Sequence, residues 1–262
     1  MASYSAPDGA PVWFDLTSSD PDRAAAFYGE LFGWEVEDPD PGFAGYRNFL
    51  RHGRRVAGLV PHMAEAGGPS NVWTVYFRTD DAQATAARIV GFGGAEQFPP
   101  MAVGDMGVVG YAVDPAGAAF GYWQSGAHTG FAEWNVPGAP YWFEGVSRDH
   151  AAVLNFYRDV FGARPEPVPG APGDYTQLFY GDTARAGVLD ANAMPMIPAE
   201  VGSSWSIYLC ADDVAATAAK AVELGGALRM GPDSGPYGTL AAVTDPMGAM
   251  FGLGHEPAPP TG

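Results

Sequence analysis

A long internal repeat constrains the fold of this 262-residue chain more than any other feature. The stretch 11–34 reads PVWFDLTSSDPDRAAAFYGELFGW, and the stretch 140–163 reads PYWFEGVSRDHAAVLNFYRDVFGA. Trp13 returns as Trp142 and Tyr28 returns as Tyr157, both 129 positions later. Solenoid units are shorter, about 20–50 residues, so the repeat predicts two copies of a whole domain.

Each copy of the repeat predicts a strand followed by a capped helix. Residues 12–16 form a short apolar run with one acid in it, as a half-buried strand does. Asp20 stands before a proline, which suits an N-cap and a first helical position. Apolar residues then recur at helical spacing as far as Gly33. The second copy repeats this spacing between Asp149 and Gly162, so the same elements are specified twice.

The remainder of each half predicts a second unit of the same kind. A strand, a helix capped by an Asp-Asp pair, a Gly-Gly stop and a DPxG turn between two strands occur in both halves. We therefore predict the order βαβββ twice in each half, with residues 1–10 as a disordered lead-in. The predicted limits are residues 8–125 for the first domain, 126–139 for a linker, 140–256 for the second domain and 256–262 for a frayed tail.

Composition narrows the classes of partner. A net charge of −17, from 30 acids and 13 bases, argues against binding nucleic acid or an anionic membrane surface. No apolar run reaches the roughly 18 residues needed to span a bilayer, and the first residues lack the regions of a signal peptide. The single Cys210 lies in an apolar run, as a buried thiol in a reducing compartment does. We expect a cytoplasmic monomer or homodimer whose partner is a small hydrophobic or aromatic molecule.

Together these motifs resemble one superfamily. The combination of FYxxLFGW, an acid-capped second helix ending in Gly-Gly, and a DPxG hairpin is similar to the vicinal oxygen chelate group. That group includes glyoxalase I, extradiol dioxygenases and bleomycin resistance proteins, and the resemblance covers nearly the whole chain twice. It implies an α+β fold of tandem duplicated glyoxalase-like domains, in which two βαβββ modules form a cupped eight-stranded mixed sheet around a pocket. It does not identify an activity, because this fold hosts several chemistries.

The resemblance also implies where metal ligands would lie. Metal-dependent members carry His, Gln or Glu on the first and the last strand of each module. The matching positions in this chain are Trp13, Thr74 and Gly121 in the first half and Trp142, Ser206 and Gly252 in the second. None supplies the imidazole, carboxylate or thiolate that a divalent metal prefers. We therefore expect no metal and no other cofactor, unless a register slip of two residues makes Asp15 and Glu144 the ligands.

Two acids, Asp15 and Glu144, are the candidates for catalysis. Strand alternation puts Asp15 on one face with Trp13, and Glu144 on one face with Trp142. If each tryptophan faces the pocket, burial under aromatic rings favours the neutral carboxyl and suits a general acid or base. The predicted ligand-binding residues around the two acids are Trp13, Thr74, Tyr76, Trp123, Trp142, Ser206 and Tyr208.

Three functions stay open on the sequence. We favour a metal-independent protein that binds a hydrophobic or aromatic small molecule and acts in self-resistance, because aromatic rings stand where metal ligands are lost. The alternative is a natural-product tailoring enzyme, such as a cyclase, isomerase or hydroxylase-like protein, that uses Asp15 and Glu144 as acid or base. The second alternative is a metal-dependent glyoxalase-type lyase. A structural role competes at each position, since the acids could hold a strand and the rings could be core packing.

Overall fold

The computed structural model describes residues 4–235 and 238–255, and the predicted tail beyond them lies outside the described residues. The chain forms two domains of matching architecture. The elements of the first are β1 (Pro11–Ser18), α1 (Pro21–Phe32), β2 (Glu35–Val36), β3 (Arg47–Arg51), β4 (Arg54–Pro61), β5 (Val72–Thr79), α2 (Ala82–Gly91), β6 (Ala95–Val103), β7 (Gly107–Val113) and β8 (Ala119–Ser125). This is the predicted βαβββ order, twice.

The second domain repeats the same order of strands and helices. Its elements are β9 (Pro140–Ser147), α3 (His150–Phe161), β10 (Arg164–Pro167), β11 (Thr176–Tyr180), β12 (Thr183–Asp190), β13 (Ser204–Cys210), α4 (Val214–Glu223), β14 (Ala227–Gly235), β15 (Gly238–Thr244) and β16 (Met250–Gly254). Between the domains, residues 126–139 contain no helix or strand.

Each domain is one eight-stranded mixed sheet. The strand order is β2-β3-β4-β1-β5-β8-β7-β6 in the first domain and β10-β11-β12-β9-β13-β16-β15-β14 in the second. The first strands of the two modules, β1 and β5, pair antiparallel at the centre, whereas β1–β4 and β5–β8 are parallel. The tandem α+β fold expected from the resemblance is confirmed.

The helix ends follow the predicted capping residues. The Asp20 side chain accepts a hydrogen bond from the Arg23 backbone N–H, and Asp149 caps α3 in the same way. Gly33 ends α1 with φ 70°, a left-handed conformation that glycine adopts without the steric cost of a Cβ. These caps start and stop the two repeated helices at equivalent residues.

The lead-in segment is packed, contrary to the sequence prediction for residues 1–10. The ring of Tyr4 stacks on Phe131 and Trp134 at centroid distances of 5.1 and 5.4 Å, and Ala10 is fully buried. The prediction of a disordered lead-in is therefore wrong for residues 4–10. An aromatic side chain and two small apolar ones in this segment give it enough surface to bury.

The two domains are joined through a reciprocal pair of buried tyrosines. The Tyr28 hydroxyl in α1 donates to Asp245 Oδ2 of the second domain at 3.5 Å. The Tyr157 hydroxyl in α3 donates to Asp114 Oδ2 of the first domain at 3.4 Å. Each aspartate is the first residue of a DPxG turn and also accepts backbone N–H groups of its own turn.

A tryptophan completes each of these buried sites. Trp205 Nε1 donates to the Tyr157 hydroxyl at 2.6 Å, and Trp73 Nε1 donates to the Tyr28 hydroxyl at 3.2 Å. Burial raises the pKa of Asp114 to about 6, although backbone N–H groups oppose the shift. The FY motif of each helix therefore serves the other domain as well as its own.

We expect Tyr157→Phe to lower the free energy of unfolding by about 1–3 kcal/mol, because it leaves a buried indole N–H without its acceptor. Tyr180→Phe is the matched control, since the buried Tyr180 hydroxyl has no hydrogen-bond partner within the described residues. Urea unfolding of the two variants checks this. Equal destabilisation by both changes would show that the hydroxyl of Tyr157 has no special role at the domain contact.

Candidate functional site

The face of each sheet that carries Asp15 or Glu144 is called here the first cup or the second cup. In the first cup, Asp15 lies at the centre of the sheet, paired in register with Gly58 on β4 and with Thr74 on β5. The Tyr76 hydroxyl donates to Asp15 Oδ2 at 2.8 Å. The acid is 4% exposed, so its bond to Tyr76 is shielded from solvent.

Phenol hydroxyls extend this site on both sides of the acid. The hydroxyls of Tyr76 and Tyr111 are 2.9 Å apart, so a hydrogen-bonded chain leads from the carboxyl to the half-buried Tyr111. On the other side, Trp13 Nε1 donates to the Tyr46 hydroxyl at 2.9 Å. Trp13 and Asp15 share a face, as strand alternation predicts.

Burial sets the protonation of Asp15. Desolvation raises the pKa of Asp15 to about 7, and the hydrogen bond from Tyr76 opposes part of that shift. Near neutral pH the carboxyl therefore populates both its acid and its base form. That is the condition under which a carboxyl can give or take a proton efficiently.

Glycines leave the room that the tyrosine rings occupy. A Cβ on Gly121 would lie 2.1 Å from the Tyr76 ring, and a Cβ on Gly58 would lie 2.0 Å from the Tyr46 hydroxyl. Gly121 is the closing-strand position at which the resemblance implies a metal ligand. In this chain the aromatic ring of Tyr76 covers that position instead.

The loop after β8 closes the first cup. The His128 ring packs edge-on against Trp13 at a centroid distance of 4.3 Å, and Trp123 Nε1 donates to the His128 carbonyl at 2.8 Å. Burial, with a smaller contribution from Arg55, lowers the pKa of His128 to about 4. The predicted ligand-binding residues Trp13 and Trp123 thus meet through a neutral histidine.

The second cup repeats this arrangement around Glu144. The Tyr208 hydroxyl donates to Glu144 Oε1 at 3.1 Å, and Trp142 Nε1 donates to the Tyr175 hydroxyl at 2.6 Å. Tyr175 also hydrogen-bonds Glu144, and Ser206 lies opposite the acid in register. Desolvation raises the pKa of Glu144, and its two tyrosine bonds oppose the shift.

The same glycine positions serve the second cup. A Cβ on Gly252 would lie 2.2 Å from the Tyr208 ring, and a Cβ on Gly187 would lie 2.1 Å from the Tyr175 hydroxyl. Both domains therefore hold one carboxyl against tyrosine hydroxyls, over glycines that admit the rings. Neither acid bonds an arginine or serves as a backbone cap in the contacts described.

Sequence reasoning missed several residues of the two cups. Tyr46 and Tyr175 bond the two tryptophans and are separated by the same 129 positions as the repeat, so the repeat itself carried the signal that identifies them. Tyr111 and His128 have no counterpart signal, because their role depends on the path of β7 and of the loop after β8. Two surface cavities, of about 330 and 340 Å³, lie beside Asp81 and Asp213, away from the predicted site residues.

A resident divalent metal does not fit the residues of either cup. Trp13 offers only an N–H donor, and Gly121 offers no side chain. Within residues 4–235 and 238–255, no group of three or more His, Cys, Asp or Glu side chains is placed to hold a metal ion. Asp15 and Glu144 are each surrounded by phenols, so a register slip does not assemble a ligand set either.

Two repeated cupped sheets, each with a buried or half-buried carboxyl, define a tandem protein of the glyoxalase type. The profile of the Glyoxalase/Bleomycin resistance protein/Dioxygenase superfamily matches residues 10–122 and again residues 142–253. The chain belongs to this superfamily. No helix in the described part of the chain is both long enough and apolar enough to cross a membrane.

Relatives and solved structures support the assignment. The chain is 36% identical to the anthracycline biosynthesis protein DnrV of Streptomyces peucetius, in an alignment that covers 94% of this chain and 92% of DnrV. The 2,3-dioxygenase LapB of Pseudomonas sp. KL28 has a TM-score of 0.66 at 14% identity, over 97% of this chain and 96% of LapB. The Mn(II)-bound glyoxalase of Novosphingobium aromaticivorans has a TM-score of 0.63 at 19% identity, over 96% of this chain and 82% of the glyoxalase. At these identities the two structures show the fold alone.

Proposed function

We propose that this protein is a natural-product tailoring enzyme that binds a flat aromatic small molecule and moves a proton on it without a metal. The observation that carries the proposal is the carboxyl–phenol pair at the centre of each sheet, Asp15 with Tyr76 and Glu144 with Tyr208. A buried acid with a raised pKa is costly to maintain, and such groups concentrate at functional sites.

The surroundings of the acids support an aromatic ligand. Tryptophan and tyrosine rings border both carboxyls, and aromatic faces stack on flat ring systems. The relative DnrV is named for anthracycline biosynthesis, and anthracyclines are flat fused-ring molecules with hydroxyl and carbonyl groups. This favours tailoring over simple sequestration, which would not require an acid that can exchange its proton.

The chemistry available to these residues is proton transfer next to a carbonyl. The carboxylate takes a proton from a carbon beside the ligand carbonyl, and the electron pair of that C–H bond moves into an enolate. The tyrosine hydroxyls donate hydrogen bonds to the charge on oxygen, and the protonated acid returns the proton to the same carbon or to another. Isomerisation and aldol-type cyclisation share this step, and it consumes no oxidant.

The test follows exchange of a carbon-bound proton for deuterium by NMR. The probe is 8-hydroxy-1-tetralone, a flat hydroxyketone with C–H groups beside its carbonyl. We expect the protein to accelerate exchange, and we expect the Asp15→Asn/Glu144→Gln double variant to lose about 10²- to 10⁴-fold of that acceleration. Tyr180→Phe should exchange the probe at the wild-type rate. Binding of the probe without accelerated exchange would contradict the enzymatic proposal and leave a binding protein.

A further inference from the structure

We propose that the ligand enters only the second cup, and that Ala242 and Gly254 are the residues that keep this cup open. The inference rests on the proposed function and deepens it. The first cup has become a closed aromatic core, whereas the second retains a reachable acid. The ligand class is a flat hydroxyketone with a ring for Trp142 and polar groups for Glu144 and Tyr208.

Matched residues of the two cups differ in exposure. In the first cup, Trp13, Asp15 and Tyr76 are 4%, 4% and 3% exposed. Their counterparts in the second cup, Trp142, Glu144 and Tyr208, are all half-buried. The chemistry is nearly the same in the two cups, and Glu144 is the more exposed of the two acids.

The first cause of the difference is Tyr111. This residue pairs with Gly121 on β8, and its hydroxyl lies 2.9 Å from that of Tyr76. The residue that pairs with Gly252 in the second domain is Ala242. A methyl group therefore takes the place of a phenol ring on this strand, and the ring that packs edge-on against Tyr208 is that of Tyr141 on β9, at a centroid distance of 6.1 Å.

The second cause is Trp123. It pairs with Arg78 across β8 and β5, is 7% exposed and is fixed by its bond to the His128 carbonyl. Gly254 occupies the matching place in the second domain, where it pairs with Cys210. The nearest ring there belongs to Tyr141, whose hydroxyl would lie 2.1 Å from a Cβ on Gly254.

The groups that remain in the second cup define what it recognises. Glu144 accepts hydrogen bonds from Tyr208 and Tyr175, so a ligand hydroxyl can replace one of these donors without leaving the acid unpaired. The half-buried ring of Trp142 gives the flat face. A fused-ring ligand with a hydroxyl beside a carbonyl supplies polar groups for Glu144 and Tyr208 and a flat face for Trp142.

Chemical modification of the acids tests this without any ligand. A water-soluble carbodiimide with glycine ethyl ester labels reachable carboxyls, and peptide mass spectrometry resolves each site. We expect Glu144 to react at least about tenfold faster than Asp15, because a buried group reacts only through local opening. The Glu144→Gln variant is the control for assignment of the peptide. Equal labelling rates of the two acids, whether both fast or both slow, would overturn the inference.

Two exchanges of matched residues test the cause. Ala242→Tyr should slow the labelling of Glu144, and Tyr111→Ala should speed the labelling of Asp15. Failure of both exchanges would overturn the roles given to these positions.

Protection by 8-hydroxy-1-tetralone separates this inference from the proposed function. Protection of Glu144 alone supports both. Fast labelling of Glu144 without protection supports the open cup and counts against the ligand class. Protection of Asp15 overturns the assignment of the ligand to the second cup.

Discussion

Replacing Gly252 with alanine is expected to lower the free energy of unfolding by about 3 kcal/mol, the upper range for overpacking a filled core. The added Cβ would lie 2.2 Å from Cδ1 and 2.5 Å from Cγ of Tyr208. Both atoms are near the attachment of the ring, so a small rotation cannot relieve the overlap. Tyr208 would have to leave its position and lose its bond to Glu144.

Urea unfolding checks this prediction, with Gly91→Ala as the control. Gly91 is the last residue of α2, and a Cβ there meets no atom within 4 Å. Alanine at that position should be neutral or stabilise the helix by about 0.5–1 kcal/mol. The double variant Gly252→Ala/Tyr208→Ser should be only slightly less stable than the Tyr208→Ser single variant, because the Tyr208 ring that the added Cβ overlaps is gone. If the losses of unfolding free energy in the two single variants simply add in the double variant, the strain caused by Gly252→Ala does not come from the Tyr208 ring.

The second large effect concerns the pH dependence of stability. Asp15 has an ordinary pKa of 3.8 in the unfolded chain and a pKa of about 7 in the folded protein. Between these values the folded state holds a proton that the unfolded state has released, so this group's contribution to stability falls as pH rises from about 4 to about 7. Above that window the loss is complete and constant.

Asp15→Asn removes the group that titrates and should raise stability at high pH. Relative to the wild-type protein we expect little gain near pH 4 and a gain on the order of 4 kcal/mol above pH 7. Urea unfolding between pH 4 and pH 8 measures the difference curve. Tyr76→Phe should extend the window to higher pH, because the Tyr76 hydroxyl is the bond that opposes the raised pKa of Asp15. A difference curve independent of pH would show that Asp15 is ionised throughout.

The repeat predicted the fold because it repeats local signals. Asp20 and Asp149 cap their helices, and Gly33 ends the first of them in a left-handed conformation that glycine tolerates best. These caps and stops depend on residues close by in the chain, so they can be predicted from the sequence. Residues 4–10 were mispredicted because their burial depends on Phe131 and Trp134, more than 100 positions away.

The candidate site was predictable in part. Alternation placed Trp13 with Asp15, and the structure brings Tyr76 to the acid. The difference between the cups was not predictable, since Tyr111 and Ala242 carry no local signal of which sheet position they face. In the first cup, Trp13 and Trp123 are buried, and the role of these two residues in lining a ligand pocket stays a prediction.

The crossed bonds of Tyr28 and Tyr157 have a consequence for how the two halves can diverge. Each half supplies a hydroxyl that a turn of the other half receives, so the contact has the geometry of a twofold homodimer within one polypeptide. A substitution at either tyrosine affects both halves, which ties these positions to one another. Residues that face only one cup are under no such shared constraint. One copy can therefore change on its cup face while it continues to support the architecture of its twin.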